Sequence, residues 1–153
     1  MKLWIMRHGE AEALRGDNDS VRGLTPHGHG QVLASARWLK AQGLGSLRIV
    51  VSPYRRARQT ADIVADIIAA VAVEQEELLT PDGDPRRVCQ WLERQADPQL
   101  LLVSHMPLVA QLTSWLSDGV LAGSPFGVAQ IRTLEMELVG PGQARRLAGF
   151  APD

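Results

Sequence analysis

Apolar residues along this chain fall into two kinds of run that take turns. Short unbroken runs read as strands buried on both faces, and longer stretches with apolar residues every three or four positions read as helices. Leu3–Met6 is the first short run. Val32, Leu33, Ala36 and Leu39 follow at helical spacing, with Thr25-Pro26 in front as cap and first helical residue and Gly43 behind as a stop. Leu47–Val51 predicts a second strand. Ser52-Pro53 repeats the cap-then-proline device before the stripe Ala57, Ala61, Val64 and Ile68. Val71–Val73 predicts a third, short strand, and Asp84-Pro85 opens a third helix with Val88, Trp91 and Leu92 turned inward. Leu100–Val103 is another buried strand, and Leu108, Leu112, Trp115 and Leu116 mark a fourth helix that stops near Gly119. The period then changes. Leu134-Glu135-Met136-Glu137-Leu138 alternates as a half-exposed strand does, Gly140-Pro141-Gly142 predicts a turn, and Ala144–Phe150 returns as the hairpin partner.

Buried strands alternating with amphipathic helices predict an α/β three-layer sandwich, a mostly parallel central sheet with helices on both faces. The 153 residues suffice for one domain, 1–153, and contain no repeat or low-complexity linker. With 16 basic and 17 acidic residues the net charge is −1, so no general footprint for nucleic acid or an anionic membrane exists, and neither is expected as a partner. Affinity for anions has to be local. The single cysteine, Cys89, excludes an intrachain disulfide and reads as a buried, inert thiol on a helix. No apolar run is long enough to span a bilayer. Four apolar residues between Lys2 and Arg7 are too few for a signal-peptide core, so a cytoplasmic compartment is expected.

Ligands of such sheets sit at the carboxyl ends of the strands. Three residue sets fall there: Arg7-His8-Gly9, Ser52 onward, and Ser104-His105-Met106-Pro107. His8 stands between a cation and a glycine that lets the backbone come close to a ligand. A neutral imidazole is a capable nucleophile, and neighbouring arginines disfavour its charged form. Arg56 lies just inside a helix N-terminus, where backbone N–H groups and the helix dipole favour a phosphate and the guanidinium adds a bidentate bond. Arg55 and Arg58 read as solvated helix face. His105 is placed to stabilise charge on a phosphoryl oxygen, as a positively charged or donating imidazole. Arg22, in the polar loop Asp17–Gly23 that no packing pattern explains, is a further phosphate ligand. His27 and His29 flank Gly28 without the companions of a metal site, and no metal or other cofactor is expected. The acidic residues Glu74, Glu76, Glu77, Asp82 and Asp84 read as solvated loop and cap. One of them could reach the site as a proton donor, and the sequence does not say which.

Together these pieces resemble the histidine phosphatase superfamily, the phosphoglycerate mutase-like fold. The matching motifs are Arg7-His8-Gly9, Leu24-Thr25-x-x-Gly28, Ser52-Pro53-x-x-Arg56-Ala57-x-Gln59-Thr60-Ala61 and Ser104-His105-x-Pro107. Within it, the compact length, Ser20-Val21-Arg22-x-Leu24-Thr25 and Leu79-Thr80-Pro81-x-Gly83-Asp84 are similar to the SixA-type phosphohistidine phosphatases. The resemblance implies that His8 becomes phosphorylated and is then freed by water. It implies that Arg7, Arg56 and His105 clamp the phosphoryl group, that Arg22 lines the pocket, and that no metal takes part. Larger members carry a cap insertion and often a carboxylate acid, and this chain matches neither. Because phosphohistidine can leave as neutral imidazole without an enzyme acid, a phosphorylated histidine-containing protein is the expected substrate and phosphate the product. The alternatives are a small-molecule phosphomonoesterase of the same superfamily and a non-catalytic phosphate-binding regulator.

Overall fold

A computed structural model describes residues 1–152. The elements are β1 (Lys2–Arg7), α1 (Pro26–Lys40), β2 (Arg48–Val51), α2 (Arg55–Ile68), β3 (Ala72–Gln75), α3 (Pro85–Glu93), β4 (Gln99–Ser104), α4 (Leu108–Asp118), β5 (Ile131–Glu135) and β6 (Arg145–Phe150). One sheet holds all six strands in the order β3-β2-β4-β1-β5-β6. The ladders β1–β4, β2–β4 and β2–β3 are parallel, while β1–β5 and β5–β6 are antiparallel. The chain is thus an α/β sandwich with a mostly parallel sheet.

Alternation along the central strands divides the core in two. Leu3, Ile5, Leu100 and Leu102 pack with Val88 and Leu92 of α3 and Leu112 of α4. Trp4, Met6, Leu101 and Val103 pack with Val32 and Ala36 of α1 and Ala57 and Ala61 of α2. Strands covered on both faces need apolar residues at every position, which is why β1 and β4 read as unbroken runs. Cys89 is buried beside Val88 in the α3–α4 layer. No described helix is long and apolar enough to cross a membrane.

Thr25 and Asp84 cap α1 and α3 as their sequences predict, accepting from the backbone N–H groups of Gly28 and Arg86, with proline next in each. Ser52-Pro53 does not. Helix α2 begins at Arg55, and its cap is Tyr54, without a side-chain bond. The Ser52 hydroxyl is engaged elsewhere, as described below. The last pattern is also displaced. The strand predicted at Leu134–Leu138 runs instead over Ile131–Glu135, because β1 supplies partners only from Lys2 to Met6 for this edge. Leu138 is exposed beyond it. The turn at Gly140–Gly142 and the return strand are as expected, with Gly142 in the left-handed region. Gly43 is left-handed too, but lies two residues past the α1 C-cap, Ala41.

Candidate active site

Sheet register brings the distant motifs together. Arg7 pairs with Ser104, and Val51 pairs with Val103. The residues one step further along each chain, His8, Ser52 and His105, are therefore neighbours at the carboxyl edge. Backbone bonds extend the ladders past the strand ends: His8 N–H donates to the Ser104 carbonyl and Ser52 N–H to the Val103 carbonyl. The His8 and His105 ring centroids lie 5.1 Å apart.

His8 is buried, at 6% exposure. Its Nδ1 lies 2.7 Å from the Gly9 carbonyl oxygen. A carbonyl can only accept, so Nδ1 carries the proton of the neutral ring and Nε2 keeps its lone pair. Arg56 Nε donates to that Nε2 at 3.3 Å. Burial, and then Arg56, Arg7 and Arg22, push the ring's pKa down to about 4, against the bond to Gly9, which raises it. The arginines disfavour the charged ring as the sequence predicts, but loss of hydration is the larger cause. Gly9 is constrained by space: a Cβ there would sit 2.8 Å from the Gly28 carbonyl oxygen and from Val32 Cγ2. Its N–H donates to Thr60 Oγ1, whose hydroxyl donates to the Arg56 carbonyl. Gly28 in turn lies so close to Glu10 that a Cβ would come within 2.2 Å of that carbonyl oxygen. These contacts explain why the separate motifs contain Gly9, Gly28 and Thr60.

Arg56, second residue of α2 and 3% exposed, turns toward His8, whereas Arg55 and Arg58 are exposed. Its far edge is held by Asp19. Nη1 donates to the Asp19 carbonyl at 2.9 Å and Nη2 to the Asp19 carboxylate at 3.1 Å. The same carboxylate accepts from Arg22 Nε at 2.6 Å, and Arg22 Nη1 donates to the Glu12 carbonyl. Arg22 therefore joins the cluster through Asp19. Burial alone would raise the Asp19 carboxyl, but the bonds from Arg22 and Arg56 outweigh it and hold it below the usual range.

His105 is more deeply buried than His8, at 1% exposure. Burial, then His8 and Arg56, drive its pKa down to about 2, with Asp19 opposing. The charged form considered from sequence is thereby removed, leaving a neutral ring. Its Nε2 lies 2.7 Å from Ser52 Oγ, and its Nδ1 is buried with no partner among the described residues. Tyr54 stands edge-on to the ring, centroids 5.1 Å apart, and the Arg56 guanidinium lies 5.1 Å above the Tyr54 ring. Arg7 Nη1 donates to the Phe126 carbonyl at 2.9 Å, while Arg7 Nε is buried and unpartnered.

Asp19 and Phe126 were missed by sequence reasoning. Asp19 had a signal, its i,i+3 spacing to Arg22 in a loop with no packing pattern; Phe126 had none, since only tertiary structure brings its carbonyl to Arg7. Among the described residues, four of the five acidic residues first considered have other partners, Glu77 being the exception. Glu74 pairs with Arg48, Glu76 accepts from Leu78 N–H, Asp82 accepts from Thr80, and Asp84 caps α3. His27 and His29 are exposed in the first turn of α1.

A sheet edge with two histidines and three arginines defines a class of anion-handling α/β proteins, and sequence comparison narrows it. The model of the histidine phosphatase superfamily (branch 1) matches residues 3–80. The chain belongs to that superfamily. It is 39% identical over 123 residues to the phosphohistidine phosphatase SixA of Escherichia coli, covering 78% of this chain and 76% of that one. A SixA homolog of Haemophilus influenzae is 38% identical over 128 residues, covering 76% and 77%. The solved structure of the protein histidine phosphatase SixA complexed with tungstate superposes with a TM-score of 0.88 at 33% identity, over 99% of this chain and 97% of that one.

Proposed function

We propose that this protein is a phosphohistidine phosphatase that removes phosphate from histidine of signalling or phosphotransfer proteins through a phosphorylated His8. The observation that carries the reading is the His8 ring itself, neutral, with Nδ1–H held by Gly9 and a lone pair on Nε2 beside Arg56. The unpartnered Arg7 Nε and His105 Nδ1 offer further nitrogens to a tetrahedral oxyanion. Tungstate is such an ion, and the similar SixA structure is a complex with it.

In this reading His8 Nε2 attacks phosphorus while the bond from phosphorus to the substrate ring nitrogen breaks. The electron pair of that bond returns to the substrate imidazole, which leaves neutral because its other nitrogen is already protonated. Arg7, Arg56 and His105 bear the charge on the phosphoryl oxygens, with Arg22 joined through Asp19. Water then attacks the phosphorus on His8. Its oxygen leaves in phosphate, and Nε2 recovers its lone pair. No metal is invoked, since the fixed cations carry the charge.

Residues 1–153 are read as one domain with an uncapped site, which gives a small metabolite few contacts but admits a histidine on a protein surface. A cytoplasmic location accompanies the reading, in keeping with a free buried Cys89. The test is kcat/KM at neutral pH for a phosphorylated histidine-containing protein against sugar phosphates and 3-phosphoglycerate, with His8→Ala as blank. Faster turnover of the phosphoprotein is expected. Preference for a sugar phosphate would favour the small-molecule phosphomonoesterase, and binding without turnover would favour a regulator.

A further inference from the structure

We infer that Ser52 is a positioning residue that fixes the tautomer of His105, so that Nδ1 presents a proton to the phosphoryl group. This rests on the proposed phosphatase reading, but the tautomer can be tested without it.

Ser52 is fully buried, and its Oγ has two contacts among the described residues, with Tyr54 N–H at 3.2 Å and with His105 Nε2 at 2.7 Å. The Tyr54 amide can only donate, so the hydroxyl accepts there. The neutral His105 ring has one N–H, and two arrangements are possible. If Nε2 carried it and donated to Ser52, the serine hydroxyl hydrogen would be buried without an acceptor. Nδ1 would be a bare lone pair, also buried without a partner. If Ser52 donates to Nε2, every hydrogen-bonding atom of the pair is used except Nδ1–H. Buried polar groups are rarely left unpaired, and the second arrangement leaves one orphan in place of two. That orphan is a donor, the group that an oxyanion satisfies. A bare Nδ1 would instead oppose lone pair to lone pair.

His8 and His105 then share one tautomer for different ends. The Gly9 carbonyl accepts from Nδ1–H of His8, which leaves the lone pair on Nε2 to attack. The Ser52 hydroxyl occupies Nε2 of His105 and leaves Nδ1–H free to donate. The arrangement also explains why Ser52 does not cap α2: its hydrogen is directed at the histidine and its lone pair at Tyr54.

Nitrogen-15 NMR of the histidine rings in the intact protein tests this directly. His105 is expected to show a protonated Nδ1 and an unprotonated Nε2 at pH 7, before any substrate is added. A protonated Nε2 would overturn the inference even if the phosphatase activity stands. In Ser52→Ala, the tautomer signature of His105 should shift toward protonated Nε2 or a mixture, and kcat/KM should fall about 10- to 100-fold, the scale of an oxyanion donor left misaligned. A folded Ser52→Ala protein with full activity, or with an unchanged His105 tautomer, would also overturn it. If Ser52→Ala fails to fold, the wild-type spectrum still decides.

Discussion

Burial and three arginines hold His8 neutral well below the usual histidine range, and this has a consequence for pH. An unfolded chain binds protons at its histidines near pH ~6.5, whereas folded His8 resists until about 4 and folded His105 until about 2. The unfolded state therefore binds more protons in that window, and stability rises with pH across it. The stability is fully present above pH ~6.5 and drains away as pH falls through the folded values. Ring NMR should find His8 neutral at pH ~5.5, against a reference value near 6.5. The melting temperature should drop less on acidification in His8→Asn than in the wild type. A His8 that titrates near 6.5 in the folded protein would contradict the geometry. At this scale Arg7, His8, Arg56 and His105 were legible in the sequence because strand ends and a helix start fixed their places. Asp19 showed only its spacing to Arg22, while its bond to Arg56 and that of the Phe126 carbonyl to Arg7 were hidden, since those partners are far away in sequence.

Helix α2 shows what element patterns can and cannot convey. Its apolar stripe fixes its phase, with Ala57, Ala61 and Val64 buried, and that phase puts Arg56 inward and Arg55 outward. Arg55 donates at 3.3 Å to the Val21 carbonyl on the exposed side. Arg56→Ala should lower kcat/KM by at least ~100-fold, as loss of a preorganised charged donor does, while Arg55→Ala should remain near wild type. Steady-state kinetics of the two variants check this, and the reverse order would put the helix phase wrong by one residue. The same helix carried the failed cap. Three cap-then-proline pairs occur, and two cap their helices. The third serine is hydrogen-bonded to His105, so a local rule gives way where the site makes its own demand. The Ile131–Glu135 strand was displaced for a different reason. Alternation at Leu134–Leu138 was real, but pairing with β1 sets the limits, and pairing is not written in either strand alone.

Across the whole molecule, the parallel order β2-β4-β1 converts separations of about 50 residues into adjacency. That convergence was legible as a fold class, because unbroken apolar strands alternate with amphipathic helices. The antiparallel edge was legible only as a hairpin, with its place next to β1 left open. The central claim is that His8 Nε2 takes the phosphoryl group from a phosphohistidine protein. The most direct measurement is to mix the protein with such a substrate labelled on phosphorus, quench within one turnover under alkaline conditions that preserve phosphohistidine, and map the label. The expected result is an acid-labile label on His8 that is absent in folded His8→Ala and decays as phosphate appears. Label on another residue, or full turnover by folded His8→Ala, would contradict it.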